Sequence, residues 1–243
     1  MVLSLVYRSI QRLVHTAVTN FCDVALTVLA AGPIPRHVAF IMDGNRRYAR
    51  SHHQPAQEGH AQGGIALRRV LEICMLLKVR CVSVYAFAID NFKRTPEEVD
   101  DLMTLLETLL LELCQRGELL DEYGVRLTCP CSAIFNVCMP YGARNEIATA
   151  VDLAVEHALS KRQKTITEDD IGAHLMTTRV GSPPLDLLVR TSGVRRLSDF
   201  LLWQCCEDTQ LQFLNPTWPE FGLWDLVSII LDYQRRAWSA QAA

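Results

Sequence analysis

Asp43-Gly44-Asn45-Arg46-Arg47 follows directly on the apolar run Val38–Met42. A short run of that kind reads as a buried strand. In parallel sheets, ligands sit beyond the carboxyl ends of the strands. Gly44 permits a sharp turn there. Backbone amides at the start of a following helix, together with two arginines, form an anion site. An aspartate beside a phosphate is a natural ligand for Mg2+, which takes carboxylate and phosphate oxygens. Taken alone, these five residues suit a solvated surface turn equally well.

Two further strand-like runs end in the same way. Cys81–Phe87 leads to Asp90-Asn91-Phe92-Lys93-Arg94, and Leu185–Val189 leads to Arg190-Thr191-Ser192-Gly193, with Arg196 and Ser198 just beyond. Two or more phosphates converging on one face of a sheet account simply for three such ends. Thr95-Pro96-Glu97-Glu98 starts a helix that runs to about Arg116, with Thr as the cap and Pro in the first turn. Its segment Leu102–Leu113 is apolar on more than one face. That marks a core helix, and one that could also wall a hydrophobic slot. Diphosphate heads outside and a slot inside describe an isoprenoid substrate.

The elements that must position these residues alternate. Helices are expected at Gly59–Leu77, Glu146–Leu159, after the cap Thr167–Asp170, at Ser198–Gln204 and at Gly222–Trp238. Further strands are expected at Val125–Thr128, Ile134–Cys138 and Leu211–Leu214. The alternation predicts an α/β fold with a mostly parallel central sheet flanked by helices. The strands Val125–Thr128 and Ile134–Cys138 stand too close in sequence. Parallel neighbours need a crossover of about a dozen residues, and Pro130 forbids a helix interior between them. Either one strand is displaced, or a crossover helix is missing near 128–133; the second is the expectation.

Gly32-Pro33-Ile34-Pro35 separates an N-terminal segment, 1–32, from a domain over 33–243. The segment carries two apolar runs divided by Arg8, Arg12 and His15. It fits an amphipathic helix lying on a membrane surface or one packed on the domain. At 49% apolar and 21% charged the composition is globular, and a net charge of −3 argues against a nucleic-acid binder. The nine cysteines include no Cys-x-x-Cys pair. They read as reduced, mostly buried thiols of a cytosol-facing protein without a structural metal.

Several segments, in order, resemble one family: His37-Val-Ala-Phe-Ile-Met-Asp-Gly-Asn-Arg-Arg47, Glu58-Gly-His60, Tyr85-Ala-Phe87 with Asn91-Phe-x-Arg94, Arg190-Thr-Ser-Gly193, Arg196-Leu-Ser-Asp-Phe-Leu-Leu-Trp-Gln204 and Trp218-Pro-Glu-Phe221. The family is that of the cis-prenyltransferases, the undecaprenyl and dehydrodolichyl diphosphate synthases, and the eukaryotic members are the nearer match. The resemblance covers about residues 33–234. It implies a polyprenyl diphosphate synthase that condenses isopentenyl diphosphate onto an allylic diphosphate, farnesyl diphosphate foremost, for dolichol synthesis and protein glycosylation. The sheet and its helices would enclose a hydrophobic tunnel. Asp43 would bind Mg2+ and the allylic diphosphate; Gly44, Arg46 and Arg47 would hold that diphosphate. Asn45, His60 and Asn91 would be catalytic, and Phe92 and Arg94 would line the allylic region. Arg190, Arg196 and Ser198 would bind the isopentenyl diphosphate. Without the resemblance, His60 is better read as a core histidine at a helix start.

The departures from the family also carry meaning. Ala88 and Asp90 replace the usual Ser and Glu, and Ala56 stands where bacterial members place a phosphate-contacting arginine. A second Mg2+ ligand, a glutamate in homomeric members, aligns near Gln210, and the C-terminal Arg-x-Gly of those members is not found. The resemblance therefore implies a non-catalytic partner subunit of the Nogo-B receptor type that supplies the Arg-x-Gly. It also implies peripheral attachment to the cytosolic face of the endoplasmic reticulum membrane. A catalytically weak or inactive subunit of such a complex is the alternative.

Overall fold

The computed structural model describes residues 24–114, 125–128 and 133–241. The N-terminal segment foreseen as amphipathic therefore lies mostly outside the described residues. By internal contacts the chain divides into two units. One holds the described parts of Met1–Ile34 and Trp224–Ala243; the other is Pro35–Leu223.

The larger unit is built on six strands: β1 (His37–Ile41), β2 (Cys81–Tyr85), β3 (Val125–Thr128), β4 (Ile134–Cys138), β5 (Leu187–Arg190) and β6 (Gln210–Phe213). Their order is β3-β4-β2-β1-β5-β6. The five strands from β4 to β6 are parallel. β1 and β5 are buried along their whole length, which is why they read as unbroken apolar runs rather than alternating ones. The helices of this unit are α2 (Asn45–Ser51), α3 (Ala56–Leu76), α4 (Pro96–Cys114), α5 (Ala143–Lys161), α6 (Glu168–Gly172) and α7 (Met176–Arg179). In the smaller unit, residues 24–30 form α1, and Gln234 Nε2 donates to Leu29 O at 2.7 Å from the helix α8 (Leu223–Gln241).

β3 departs from the parallel pattern. It pairs with β4 antiparallel, Thr128 opposite Ile134 and Val125 opposite Val137. An antiparallel pair closes with a short hairpin, whereas a parallel pair needs a long crossover. The displaced strand and the absent crossover are thus one fact.

The helix foreseen at Ser198–Gln204 is a run of turns. Ser198, Asp199 and Leu201 have φ of 51°, 62° and 46°. Left-handed backbone at non-glycine residues costs on the order of 1–3 kcal/mol each and survives only where surroundings impose it. The apolar spacing of Phe200, Leu201 and Trp203 imitates a helix, but tertiary contacts set the backbone.

A polar chain ties the start of β1 to the middles of β2 and β4. His37 Nδ1 lies 2.8 Å from Pro183 O and its Nε2 lies 2.8 Å from Ser83 Oγ. A carbonyl only accepts, so Nδ1 carries the proton. Asn136 Nδ2 donates to the same Ser83 Oγ at 3.0 Å. β1, β2 and β4 are thereby held in register beneath the site. Of the cysteines, Cys74 and Cys81 are buried and Cys206 is exposed.

Candidate active site

The site is assembled where β1 and β5 end. Register sets Ile41 opposite Arg190, so Asp43 emerges just past Arg190 on the neighbouring strand. Thr191 fixes the crossing. Asp43 N donates to Thr191 Oγ1 at 3.1 Å, and that hydroxyl donates back to Asp43 O at 2.7 Å. Trp218 N donates to the same carbonyl at 2.9 Å.

Arg190, whose side chain is 4% exposed, donates through Nη2 to Asp43 Oδ2 at 2.9 Å. Its Nη1 donates to Ser198 Oγ at 2.7 Å and to Arg196 O. Arg196 Nε also donates to Ser198 Oγ at 3.2 Å. Arg47 Nη2 stands 4.0 Å from Asp43 Oδ2. Burial alone would push the Asp43 carboxyl up, but the hydrogen bond from Arg190 and the charges of Arg190 and Arg47 outweigh it. The net shift is downward, so Asp43 is a carboxylate at neutral pH.

Gly44 turns the chain from β1 into α2 with φ of 108°. A Cβ there would lie 2.8 Å from Thr217 Cβ, so space and backbone both demand glycine. α2 then lies against α3 at two glycines one turn apart. A Cβ on Gly59 would lie 2.2 Å from Asn45 O, and one on Gly63 would lie 2.7 Å from Asn45 Oδ1. Trp218 Nε1 donates to Gly63 O at 2.9 Å and seals the junction. Asn45 Oδ1 is buried without a hydrogen-bond partner among the described residues. Such an acceptor is costly to bury and marks a place where a donor is wanted.

Beside Asn45 opens a cavity of about 270 Å3. Leu102, Leu105 and Leu106 of α4 line it, with Val84, Phe135 and Val137 from the sheet. The hydrophobic wall expected of the α4 leucines is therefore present; the side chains of Leu109, Leu110 and Leu113 lie outside the described residues. Asn45 and His60 stand on the same wall. Burial, reinforced by the charge of Arg94, pushes the His60 imidazole down to about 4 against the pull of Glu98. His60 is therefore neutral at pH 7.

A second, polar cavity of about 510 Å3 is lined by Asp90, Asn91, Arg144, Arg196, Ser198 and Asp199. It joins the expected isopentenyl side to the loop after β2, where a 3-10 turn, Ile89–Lys93, carries Asn91. Arg94 Nη2 donates to Asn91 Oδ1 at 3.2 Å. Two expected residues stand apart. Arg46 pairs with Glu98 of α4, Nε to Oε1 at 3.4 Å. Phe92 is 54% exposed, with its ring edge-on to Phe87. Gln210 starts β6 opposite Leu187, three positions before the level of Arg190, and brings no carboxylate beside Asp43.

One carboxylate suits Mg2+, which is commonly held by one or two carboxylates plus substrate phosphates rather than by a protein cage. Asp43 is ionised and half-exposed. No group of three or more His, Cys, Asp or Glu gathers among the described residues. The donor set therefore fits a metal that arrives with a diphosphate.

A carboxylate and arginines at parallel strand ends, beside an apolar cavity, suit a ligand with an anionic head and an apolar tail. The profile of the family described as putative undecaprenyl diphosphate synthase matches residues 41–131 and 128–240, and the chain belongs to that cis-prenyltransferase family. A dehydrodolichyl diphosphate synthase complex subunit of Schizosaccharomyces pombe is 38% identical over 236 residues, 86% of this chain and 88% of the relative. A tritrans,polycis-undecaprenyl-diphosphate synthase (geranylgeranyl-diphosphate specific) of Pyrococcus horikoshii is 38% identical over 232 residues, 85% of this chain and 86% of that one. Lavandulyl diphosphate synthase from Lavandula x intermedia, solved with dimethylallyl diphosphate, superposes with a TM-score of 0.69 at 28% identity, covering 82% of this chain and 95% of that one.

The alignments also bear on the β3–β4 hairpin. With the S. pombe subunit, 236 aligned positions take in 86% of 243 residues, about 209, so about 27 positions belong to the relative alone. With the P. horikoshii enzyme the same reckoning gives about 25. The family profile breaks at 128–131, inside the hairpin. Over the aligned span these two relatives thus carry about 25 positions more than this chain.

Proposed function

We propose that the chain is the catalytic subunit of a heteromeric polyprenyl diphosphate synthase, condensing isopentenyl diphosphate onto farnesyl diphosphate with cis double bonds. The observation that carries this reading is the Asp43–Arg190–Ser198 chain, in which Asp43 lies between Met42 and Gly44, next to the cavity-lining Met42 and Asn45. A subunit that only binds its partner has no need of an ionised carboxylate and a buried arginine there.

In this reading the allylic diphosphate rests on the amides at the start of α2 and on Arg47, with its chain in the 270 Å3 cavity. The allylic carbon–oxygen bond breaks, the double bond of isopentenyl diphosphate attacks, and a proton leaves to set the cis double bond. Arginines aimed at the departing diphosphate stabilise charge that develops in the transition state. Asp43 would help hold a Mg2+ ion, which would supply further charge neutralisation at the diphosphate. Neutral His60 adds no positive charge to the cavity wall. Asn45 Oδ1, buried and unpartnered, is suited to accept a hydrogen bond from substrate or water near the reacting carbons. Arg190, Arg196 and Ser198 hold the isopentenyl diphosphate.

A partner subunit is supported by the S. pombe relative, itself named a complex subunit. A partner of the Nogo-B receptor type would supply the Arg-x-Gly. Attachment to the cytosolic face of the endoplasmic reticulum membrane is supported by the apolar, arginine-bearing segment 1–32. Among the described residues no helix is long and apolar enough to cross a membrane. One observation favours a catalytically weak subunit instead: the short connection between β3 and β4, where the family profile breaks.

The test is purification with and without the partner, then assay with radiolabelled isopentenyl diphosphate, farnesyl diphosphate and Mg2+. Long-chain product from the pair is expected. No product from either preparation overturns the catalytic reading and leaves the weak-subunit one.

A further inference from the structure

The turn that carries Arg196 and Ser198 is left-handed at Ser198, Asp199 and Leu201, so something outside it must hold its shape. Two anchors do. Ala143 N donates to Asp199 O at 2.8 Å and Arg144 N to Asp199 Oδ1 at 3.0 Å, which fastens the turn to the start of α5. At its far end, Gln204 Nε2 donates to Glu146 Oε2 at 3.2 Å and to Thr177 Oγ1 at 3.1 Å.

Glu146 is 2% exposed. It also accepts from Met176 N at 2.8 Å and from the Tyr141 hydroxyl. Tyr141 in turn braces the other loop of the polar cavity. Its N donates to Phe87 O at 3.0 Å, and Ile89 N donates to its carbonyl at 3.1 Å, just before Asn91. Tyr85 closes the ring: its hydroxyl lies 3.2 Å from Tyr141 O and 3.3 Å from Ser198 O. A buried carboxylate is costly unless its oxygens are satisfied, and here the donors come from the segments that shape both cavity walls.

We propose that Glu146 is a positioning residue for the diphosphate site at Arg196 and Ser198. It acts through Gln204 on the left-handed turn that carries Arg196 and Ser198. It touches no substrate. The inference rests on the reading of that site as the one for isopentenyl diphosphate, and it adds a residue that sets the affinity of that site rather than of the allylic one.

The test uses the chain co-purified with its partner and titrates isopentenyl diphosphate and farnesyl diphosphate separately by calorimetry, with steady-state KM for each. Glu146→Gln puts an amide donor among donors. Gln204→Met cuts the link from Glu146 to the turn, along with the bond to Thr177, leaves the Tyr141 and Met176 bonds of Glu146 in place, and serves if Glu146→Gln does not fold. Expected is a rise in the isopentenyl diphosphate Kd and KM of about tenfold, with the farnesyl diphosphate values within about twofold. Equal weakening of both ligands, or loss of melting temperature with unchanged Kd, overturns the proposal. Arg196→Ala separates the two layers. If it leaves isopentenyl diphosphate binding intact, the reading of the site fails. If it abolishes binding while Glu146→Gln and Gln204→Met do not weaken it, only the positioning role fails.

Discussion

Arg190 Nη2 donates to Asp43 Oδ2 across 2.9 Å and so joins the ends of β5 and β1. The same guanidinium reaches Ser198. One buried cation therefore orders the residues assigned to two different diphosphates. Asp43→Asn keeps an acceptor and loses the charge. Turnover should fall about a hundredfold or more, with little change in melting temperature. Asp43→Ala should in addition cost about 1–3 kcal/mol, since Arg190 loses one of its acceptors. Urea unfolding alongside turnover separates the two effects, and retained turnover in Asp43→Asn would refute the role of the carboxylate.

The α2–α3 junction gives a graded series. Gly59→Ala meets backbone at 2.2 Å, Gly63→Ala meets the Asn45 side chain at 2.7 Å, and Gly64→Ala meets nothing within 4 Å. Gly59→Ala should destabilise most and Gly63→Ala should lower turnover by moving Asn45. Gly64→Ala should stabilise by about 0.5–1 kcal/mol, the ordinary gain inside a helix. Chemical denaturation midpoints for the three variants test the order.

Acid should weaken the fold through His60. Its pKa is about 4 in the folded chain against an ordinary 6.5. Below pH 6.5 the unfolded chain takes up a proton that the folded chain refuses, so the contribution to stability is whole above 6.5 and declines towards 4. The half-buried position limits it to on the order of 1–2 kcal/mol. Buried His37 is also shifted down and adds the same sign. Urea midpoints from pH 8 to 4 should fall less steeply in His60→Gln than in the parent.

The hairpin offers a gain-of-stability test. Replacing the connection between Thr128 and Ile134 with the corresponding segment of the S. pombe subunit lengthens it. β3 is then free to pair parallel with a crossover helix behind it. The melting temperature should rise by about 5 °C or more, measured by calorimetry. An unchanged value would mean that the hairpin is as good a solution as the crossover.

The sequence reveals most where burial is two-sided. β1 and β5 are legible because both faces are covered, and α4 because Thr95-Pro96-Glu97-Glu98 announces it. The three basic strand ends are legible because parallel sheets place ligands there. Direction is less visible: the composition of Val125–Thr128 is the same whether it runs with or against β4, and only the short connection hints at the answer. The turn Ser198–Gln204 misleads because its apolar spacing suits a helix while Asp199 and Gln204 are claimed by α5. Gly59, Gly63 and Glu146 carry no periodic signal, since close approach and buried polar contact depend on what lies opposite.

The register that sets Ile41 opposite Arg190 has a consequence for how the protein fails. A one-residue slip of β5 would send Arg190 to the other face of the sheet. No partly unfolded form that loosens this pair can keep an intact site. Diphosphate affinity and the cooperative melting of the sheet should therefore vanish at one midpoint, and ligand binding can serve as a direct gauge of the folded fraction.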